Sequence, residues 1–165
     1  MRRLTLAVAA PIFLAVATAA ANPTPVDPLR FFAGRTETRA IVKVIFHQSY
    51  RSHSVGQGRI EADGSLTLVQ RVEDEGKPAH ERRWRVRETG PGHWTAAMSE
   101  ADSPVAIDQV GDRYRFLFTM PGHLKVEQWI VPLPGGASAL TLTKARKFGM
   151  TVATTEGTVR KLPAG

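Results

Sequence analysis

Turn-forming residues divide the chain beyond residue 33 into short extended segments. Glycine tolerates a positive φ and proline fixes φ, so each cluster of these residues can reverse the chain. The clusters lie at residues 63–64, 75–78, 90–92, 111–112, 121–122, 134–136 and 149. Regular punctuation of this kind predicts consecutive antiparallel strands, and no segment between the turns has the period of an amphipathic helix.

The segments between the turns give strand candidates at residues 35–46, 52–60, 65–73, 80–89, 93–99, 105–110, 113–120, 125–133, 137–148 and 151–162. Segment 113–120 alternates most clearly. It carries the large apolar residues Tyr114, Phe116, Phe118 and Met120 on one face, which we expect to point inward. In the third and fourth segments the same rule places Gln70 and Arg82 inside, beside apolar neighbours.

A set of antiparallel strands without helices must hide the two edges of its sheet, and closure into a barrel removes both edges. We therefore predict a single all-β domain over residues 34–162, an antiparallel up-and-down β-barrel of about ten strands. The alternative is a two-sheet sandwich with a solid core. A barrel of this size usually encloses a cavity, although a filled interior is also compatible with the sequence.

The first 33 residues have a different composition. A positively charged start precedes an apolar run over residues 4–16 and small residues over 17–21, which is the pattern of a secretory signal peptide. A membrane anchor is the alternative, but the run is shorter than the roughly 20 residues of a spanning helix, and Pro11 interrupts it. We expect cleavage after Ala21 and a periplasmic mature chain without a transmembrane segment. Residues 22–33 are predicted to form an extended lead and a short helical plug.

The chain is basic and has no cysteine. It has 22 Lys and Arg against 15 Asp and Glu, and removal of residues 1–21 leaves 20 against 15, a net charge of about +5. This balance predicts attraction to an anionic envelope surface or an acidic ligand, although a solvated arginine-rich surface has the same composition. No nucleic-acid-binding motif is present. Without disulfides, an ordinary hydrophobic core must stabilise the domain.

No catalytic or metal-binding motif is found in the sequence. The five histidines lack the spacing of a metal site on one strand face, and no G-x-S-x-G sequence marks a nucleophile. We interpret the polar residues between Ser99 and Ser103 as caps of a turn. We therefore expect no metal and no cofactor and name no catalytic residue; an enzyme without a recognisable motif is an alternative.

The candidate ligand site consists of Arg82, Trp84, Tyr114, Phe116, Gln128 and Trp129. A largely apolar cavity with a few convergent polar groups is typical of ligand sites, and aromatic rings can line an alkyl chain. An internal Arg82 needs a partner, such as the carboxylate of a ligand, an acidic side chain or water. The alternative is that the rings fill the core and Arg82 reaches out past a barrel end.

Five short segments match a known family in their order along the chain. They are FFAGRT at 31–36, RRWRV at 82–86, VEQW at 126–129, KFGM at 147–150 and GTVRK at 157–161. The chain resembles, through them, a family of short proteobacterial envelope proteins, the domain of unknown function 3833. The resemblance implies a lipocalin-like barrel of the calycin type, no established activity and an acyl-chain ligand or partner. Family members often look like lipoproteins, whereas this chain lacks the cysteine.

Residues 32–36 also look like the opening F-x-G-x-W of lipocalins and fatty-acid-binding proteins. Thr36 stands where the barrel-closing Trp lies in those proteins. The resemblance implies that Arg160 is the basic residue that their last strand packs across that end.

These observations predict a periplasmic lipocalin-like binding or carrier protein for an amphipathic ligand, with a fatty-acyl chain as the candidate. The alternative is a non-enzymatic envelope adaptor that docks on anionic lipid or on a membrane-lipid-modifying enzyme.

Export can be tested by intact mass. We expect the periplasmic fraction to contain a chain that begins near Asn22, because small residues at the end of the apolar run suit a signal peptidase. A full-length species confined to the membrane would identify the segment as an anchor.

Overall fold

The computed structural model describes residues 27–163, and the expected signal peptide lies outside them. One short helix, α1 (Pro28–Phe32), precedes ten strands. They are β1 (Gly34–Val44), β2 (Tyr50–Ile60), β3 (Leu66–Asp74), β4 (His80–Gly90), β5 (His93–Met98), β6 (Val105–Val110), β7 (Arg113–Met120), β8 (Leu124–Pro132), β9 (Ser138–Lys147) and β10 (Met150–Lys161). Each strand boundary lies within two residues of the predicted one. Within residues 27–163, no helix is long and apolar enough to cross a membrane.

The ten strands form one closed sheet. Each strand pairs antiparallel with its neighbours in sequence, and β1 also pairs with β10, which removes both edges. This seam keeps one register from Thr36 opposite Lys161 to Val44 opposite Ala153. The predicted fold class, an all-β antiparallel up-and-down barrel, is confirmed, and the two-sheet sandwich is wrong.

Alternation along the strands separates the interior of the barrel from its surface. In β7, Tyr114 and Phe116 are buried, whereas Arg113 and Leu117 are exposed. Since successive residues of a strand point to opposite faces, every strand contributes its alternate side chains to the interior. The buried core takes most of its side chains from β3 to β8, and α1 adds two more.

Helix α1 covers one end of the barrel, which we call the closed end. Asp27 caps the helix, because its Oδ1 accepts a 2.9 Å hydrogen bond from the backbone N–H of Leu29. Pro28 fits the first turn, where an amide donor is not needed. Phe31 is buried and packs edge-on against Phe32, with ring centroids 5.0 Å apart. We call the opposite end, where the β1–β2, β3–β4, β5–β6, β7–β8 and β9–β10 hairpins turn, the mouth.

Gly58 of β2 allows α1 to approach the sheet closely. A Cβ atom at this position would lie 1.9 Å from the backbone O of Phe32, which is far inside van der Waals contact. A glycine is therefore required where the end of the helix rests on the strand.

Two residues near the closed end, Thr36 and Arg160, were compared above with the opening motif and the last strand of lipocalins. Thr36 is only 1% exposed and points into the barrel. Arg160 does not pack across the closed end, because Val159 takes the inward position and its neighbour in the strand must point outward. The guanidinium of Arg160 instead bonds to Glu37 on the outer face.

Glu37 joins three strands at the seam. It lies on β1, and its carboxylate accepts hydrogen bonds from Arg39 of the same strand at 2.9 Å and from Arg160 of β10 at 2.7 Å. His53 Nε2 of β2 lies 3.0 Å from Oε1 of the same carboxylate. The Glu37 side chain is only 9% exposed. Hydrogen bonds from Arg39, Arg160 and His53 lower the pKa of Glu37 from 4.5 to about 2.

The Glu37 cluster should make the stability of the barrel depend on pH. A carboxyl with a lowered pKa in the folded state stabilises that state above pH 4.5, and the contribution is lost as the pH falls through about 2. Glu37→Gln should therefore lower the free energy of unfolding at neutral pH, and the difference from the wild type should shrink as the pH falls towards 2. Denaturant unfolding at several pH values measures this. The exposed Glu88→Gln is the control, and equal pH profiles for both variants would contradict the assignment.

Candidate functional site

The barrel encloses a cavity of about 370 Å³. Its lining extends from Phe32 of α1 to Tyr50, Asp74 and Leu124 at the mouth. The volume falls within the range of about 300–1,000 Å³ that is usual for small-molecule sites. The interior is therefore a cavity in this chain rather than a filled core.

The wall of the cavity has two chemically different sides. Strands β3, β4, β5, β7 and β8 contribute the amides of Gln70 and Gln128 and a larger set of apolar side chains, namely Leu66, Leu68, Val72, Trp84, Val86, Met98, Phe116, Phe118, Met120, Val126 and Ile130. Strands β1, β2, β9 and β10 contribute Tyr50 at the mouth, smaller apolar residues and a set of hydroxyl groups, namely Thr38, Ser52, Ser54, Thr141, Thr143 and Thr155. A molecule in the cavity would thus contact a mainly apolar surface on one side and hydrogen-bonding groups on the other.

Trp84 is the centre of the apolar side. Its ring meets those of Phe116 and Phe118 edge-on, with centroid distances of 6.5 and 6.4 Å. Such arrangements place the positive edge of one ring against the negative face of another. The indole Nε1 donates a 2.9 Å hydrogen bond to Oε1 of Gln70, so the polar atom of Trp84 is satisfied. This bond fixes the orientation of the ring in the cavity wall.

Arg82 lies near the mouth and is paired with Glu100. The guanidinium donates from Nε to Glu100 Oε2 at 2.8 Å, and its Nη2 lies 2.7 Å from the same oxygen. Trp84 of β4 lies opposite Met98 of β5, and two residues further along the same register Arg82 comes opposite Glu100. His80 Nε2 lies 2.8 Å from the other carboxylate oxygen. The acidic partner that an internal arginine requires is therefore supplied by the chain itself, and no ligand carboxylate is needed to balance it.

The structure brings four of the six predicted site residues into one cavity. These are Arg82, Trp84, Phe116 and Gln128, and Gln128 donates a 2.9 Å hydrogen bond to Thr141 across to β9. Whether they bind a ligand stays a prediction.

Tyr114 and Trp129 lie elsewhere. Tyr114 is buried at the closed end, edge-on to Trp94 with ring centroids 5.8 Å apart, and burial raises its pKa. Trp129 does not line the cavity, because it follows the inward Gln128 in β8 and successive residues point to opposite faces. Its Nε1 donates a 2.9 Å hydrogen bond to Glu127 instead.

Sequence reasoning missed Glu100 and the hydroxyl side of the cavity. The sequence analysis places Glu100 among the polar caps of a turn, whereas the register of β4 with β5 brings it opposite Arg82. The hydroxyl groups of β1, β9 and β10 come from segments that have apolar residues on both faces, so alternation alone does not fix which face is inside. The spacing of Thr141 and Thr143 by two residues was the available signal.

Within the part of the chain that the structure describes, no group of three or more His, Cys, Asp or Glu side chains could hold a metal ion. The charged groups that line the cavity are Asp74, Arg82 and Glu100.

Comparisons with known proteins support the architecture. No protein-family model and no curated protein matches the sequence. Among solved structures, the S-type phycobiliprotein lyase CPES from Guillardia theta is similar, with a TM-score of 0.65 and 8% sequence identity. The match covers 83% of this chain and 92% of the lyase chain. At this identity the likeness shows the fold, which is a lipocalin-like barrel.

Two tryptophans on opposite faces of the sheet test the placement of the cavity. Trp84→Ala should lower the free energy of unfolding by about 2 kcal/mol or more, because it removes a partly buried ring and its two aromatic contacts. Trp129→Ala on the outer face should cost less, about 1 kcal/mol, because that partly buried ring contacts Glu127 and the Arg115 guanidinium rather than other aromatic rings. Denaturant unfolding of both variants gives the comparison, and a larger loss for Trp129→Ala would reverse the face assignment.

Proposed function

We propose that this protein binds and carries an amphipathic small molecule whose apolar part lies in the barrel. The observation that supports this most strongly is the cavity of about 370 Å³, with one apolar side and a few polar groups towards its mouth. A fatty-acyl chain suits the apolar side, because each methylene moved out of water contributes roughly 0.8 kcal/mol. The hydroxyl groups on the other side can hydrogen-bond to carbonyl or hydroxyl groups of a ligand that has polar groups along its chain.

The arrangement of polar groups orients the ligand. Helix α1 covers the closed end, so the apolar end of a ligand belongs there and the head group belongs near Arg82 and Glu100. A fatty-acid carboxylate would compete with Glu100 for the guanidinium. A neutral head group, such as an alcohol or an ester, could accept from Arg82 or donate to Glu100 without breaking their pair. We therefore propose that the site does not favour an acid over the matching alcohol.

The outer surface gives less support to the alternative of an adaptor that docks through its arginine-rich face. Several outward arginines are paired with a glutamate two residues away on the same strand, namely Arg39 with Glu37, Arg59 with Glu61, Arg71 with Glu73 and Arg83 with Glu81. Pairs of this kind do not change the net charge, but they leave fewer free guanidinium groups on this face to bind an anionic partner. The carrier function is thus better supported than docking through this face.

The structural neighbour does not add a reaction to the proposal. CPES is described as a phycobiliprotein lyase, but 8% identity carries the fold alone. The chemistry of the cavity supports binding, since its arginine and glutamate are paired with each other. Periplasmic location and membership of the domain of unknown function 3833 are parts of the same proposal, and they rest on the first 21 residues and the five matching segments.

The proposal predicts how affinity depends on the ligand. Calorimetric titration with fatty alcohols and fatty acids of increasing length should give affinities that rise with chain length until the cavity is full. For the wild type, acid and alcohol of one length should bind about equally. No binding of either series would overturn the proposed function.

The pair at the mouth predicts how one substitution changes selectivity. Glu100→Gln leaves Arg82 without its charged partner, so the variant should bind the acid about tenfold more tightly or better, with little change for the alcohol. Glu88→Gln, at an exposed position near the other end of β4, should change neither. Equal gains for acid and alcohol would place the head group away from Arg82.

A further inference from the structure

Two hairpins at the mouth expose large apolar side chains. Phe46 in the β1–β2 turn is 96% exposed, and Phe148 in the β9–β10 turn is 85% exposed. Ile45 and Met150 beside them are also exposed. The two turns are neighbours because β1 pairs with β10, and the N–H of Ile45 donates a 2.9 Å hydrogen bond to the backbone O of Val152. We call Ile45, Phe46, Phe148 and Met150 the mouth tip.

The backbone of the mouth tip is strained. Phe46 has a φ of 63° and Phe148 a φ of 50°, in the left-handed region that bulky side chains rarely adopt. Glycine and asparagine are the usual residues at such turn positions. Each phenylalanine therefore carries a cost in backbone strain and a second cost in exposed apolar surface. Strained residues that persist in a fold indicate function more often than chance would.

The charge around the mouth tip is positive. Residues 41–49, 117–126 and 139–152 contain no Asp or Glu. On the outer face, Lys43 of β1 and Lys144 of β9 both lie opposite Thr154 of β10, and Lys147 Nζ is 5.7 Å from the centre of the Phe148 ring. Within residues 27–163 none of these three lysines is in an ion pair, and the carboxylate of Glu127, which lies opposite Lys144, is bonded to Arg146.

The other side of the mouth has a different character. Asp74, Glu75 and Glu100 lie at the β3–β4 and β5–β6 hairpins, where they pair with Lys77, Arg51 and Arg82. The mouth is therefore divided into a side of paired charges and a side that combines exposed rings with lysines.

From this division we propose that the mouth tip docks on an anionic phospholipid surface. Exposed aromatic and aliphatic side chains bury themselves at the boundary between head groups and acyl chains, and neighbouring lysines bind the phosphates. The β3–β4 and β5–β6 hairpins would contribute little to this contact, because their cations are already paired with carboxylates. Four side chains on two hairpin tips form too small an area for a typical protein interface, which favours a lipid partner.

Docking of this kind would bring the mouth of the cavity to the bilayer. A ligand could then pass between the membrane and the barrel without crossing water. This consequence rests on the proposed function, whereas the docking itself does not and can be measured without a ligand.

Vesicle sedimentation tests the role of the rings. The protein should bind vesicles of phosphatidylcholine with phosphatidylglycerol more tightly than vesicles of phosphatidylcholine alone, and added salt should weaken the binding. The double variant Phe46→Asn/Phe148→Asn should lose about tenfold or more in binding to the mixed vesicles. It should remain folded, since asparagine adopts a positive φ more readily than phenylalanine. The matched control, Ile60→Asn/Val110→Asn, changes two exposed apolar residues at the closed end and should bind like the wild type.

A second pair of variants tests the charge. Lys43→Gln/Lys147→Gln should weaken binding to the mixed vesicles by about fivefold for each lysine and leave binding to phosphatidylcholine unchanged. Arg35→Gln/Arg87→Gln, at exposed positions towards the closed end, should have a smaller effect.

Three outcomes would overturn the docking proposal. The first is a wild-type protein that sediments with neither vesicle, and the second is a Phe46→Asn/Phe148→Asn variant that binds as the wild type does. The third is that the mouth tip binds a protein partner in the absence of lipid while the wild type does not bind vesicles. Titration of a fatty alcohol in solution separates this proposal from the carrier function, because the tip variant should still bind the alcohol with unchanged affinity.

Discussion

The pairing of β1 with β10 is the interaction on which the rest of the structure depends. Without it the ten strands would be an open sheet with two long edges, and their inward side chains would share no enclosed space. The seam in one register makes every strand internal and turns one face of the sheet into the wall of a cavity. Glu37 reinforces this junction from outside, since its partners come from β1, β2 and β10.

The seam also explains why the interior is not filled. Side chains near it are small: a Cβ at Gly157 would lie 2.5 Å from that of Ala40, and one at Gly56 would lie 2.9 Å from Oγ1 of Thr36. Most of the large rings and aliphatic chains that line the cavity come from β3, β4, β5, β7 and β8. The lack of bulky side chains at the seam thus allows β1 and β10 to approach closely and leaves part of the cavity unfilled.

The sequence alone predicted much of the fold and part of the site. Regular turns gave the strands and their number, and the period of two in β7 placed Tyr114 and Phe116 inside correctly. The same period should have separated Gln128 from Trp129, which cannot both face inward. The pair of Arg82 with Glu100 was out of reach, because it depends on the register of one hairpin and not on any local pattern. Closure into a cavity rather than a filled core depends on the summed volumes of side chains from all ten strands.

The contact between α1 and β2 has a consequence for length selection. The carbonyl of Phe32 occupies the space that a side chain at position 58 would fill, so the helix lies directly against the sheet. The barrel is therefore closed at this end and open only at the mouth. In the proposed carrier, a ligand that enters tail first would stop at this closed end. The distance from the helix to the Arg82 and Glu100 pair would then select the tail length: a shorter tail would leave its head group below the pair, and a longer tail would push its head group out of the mouth.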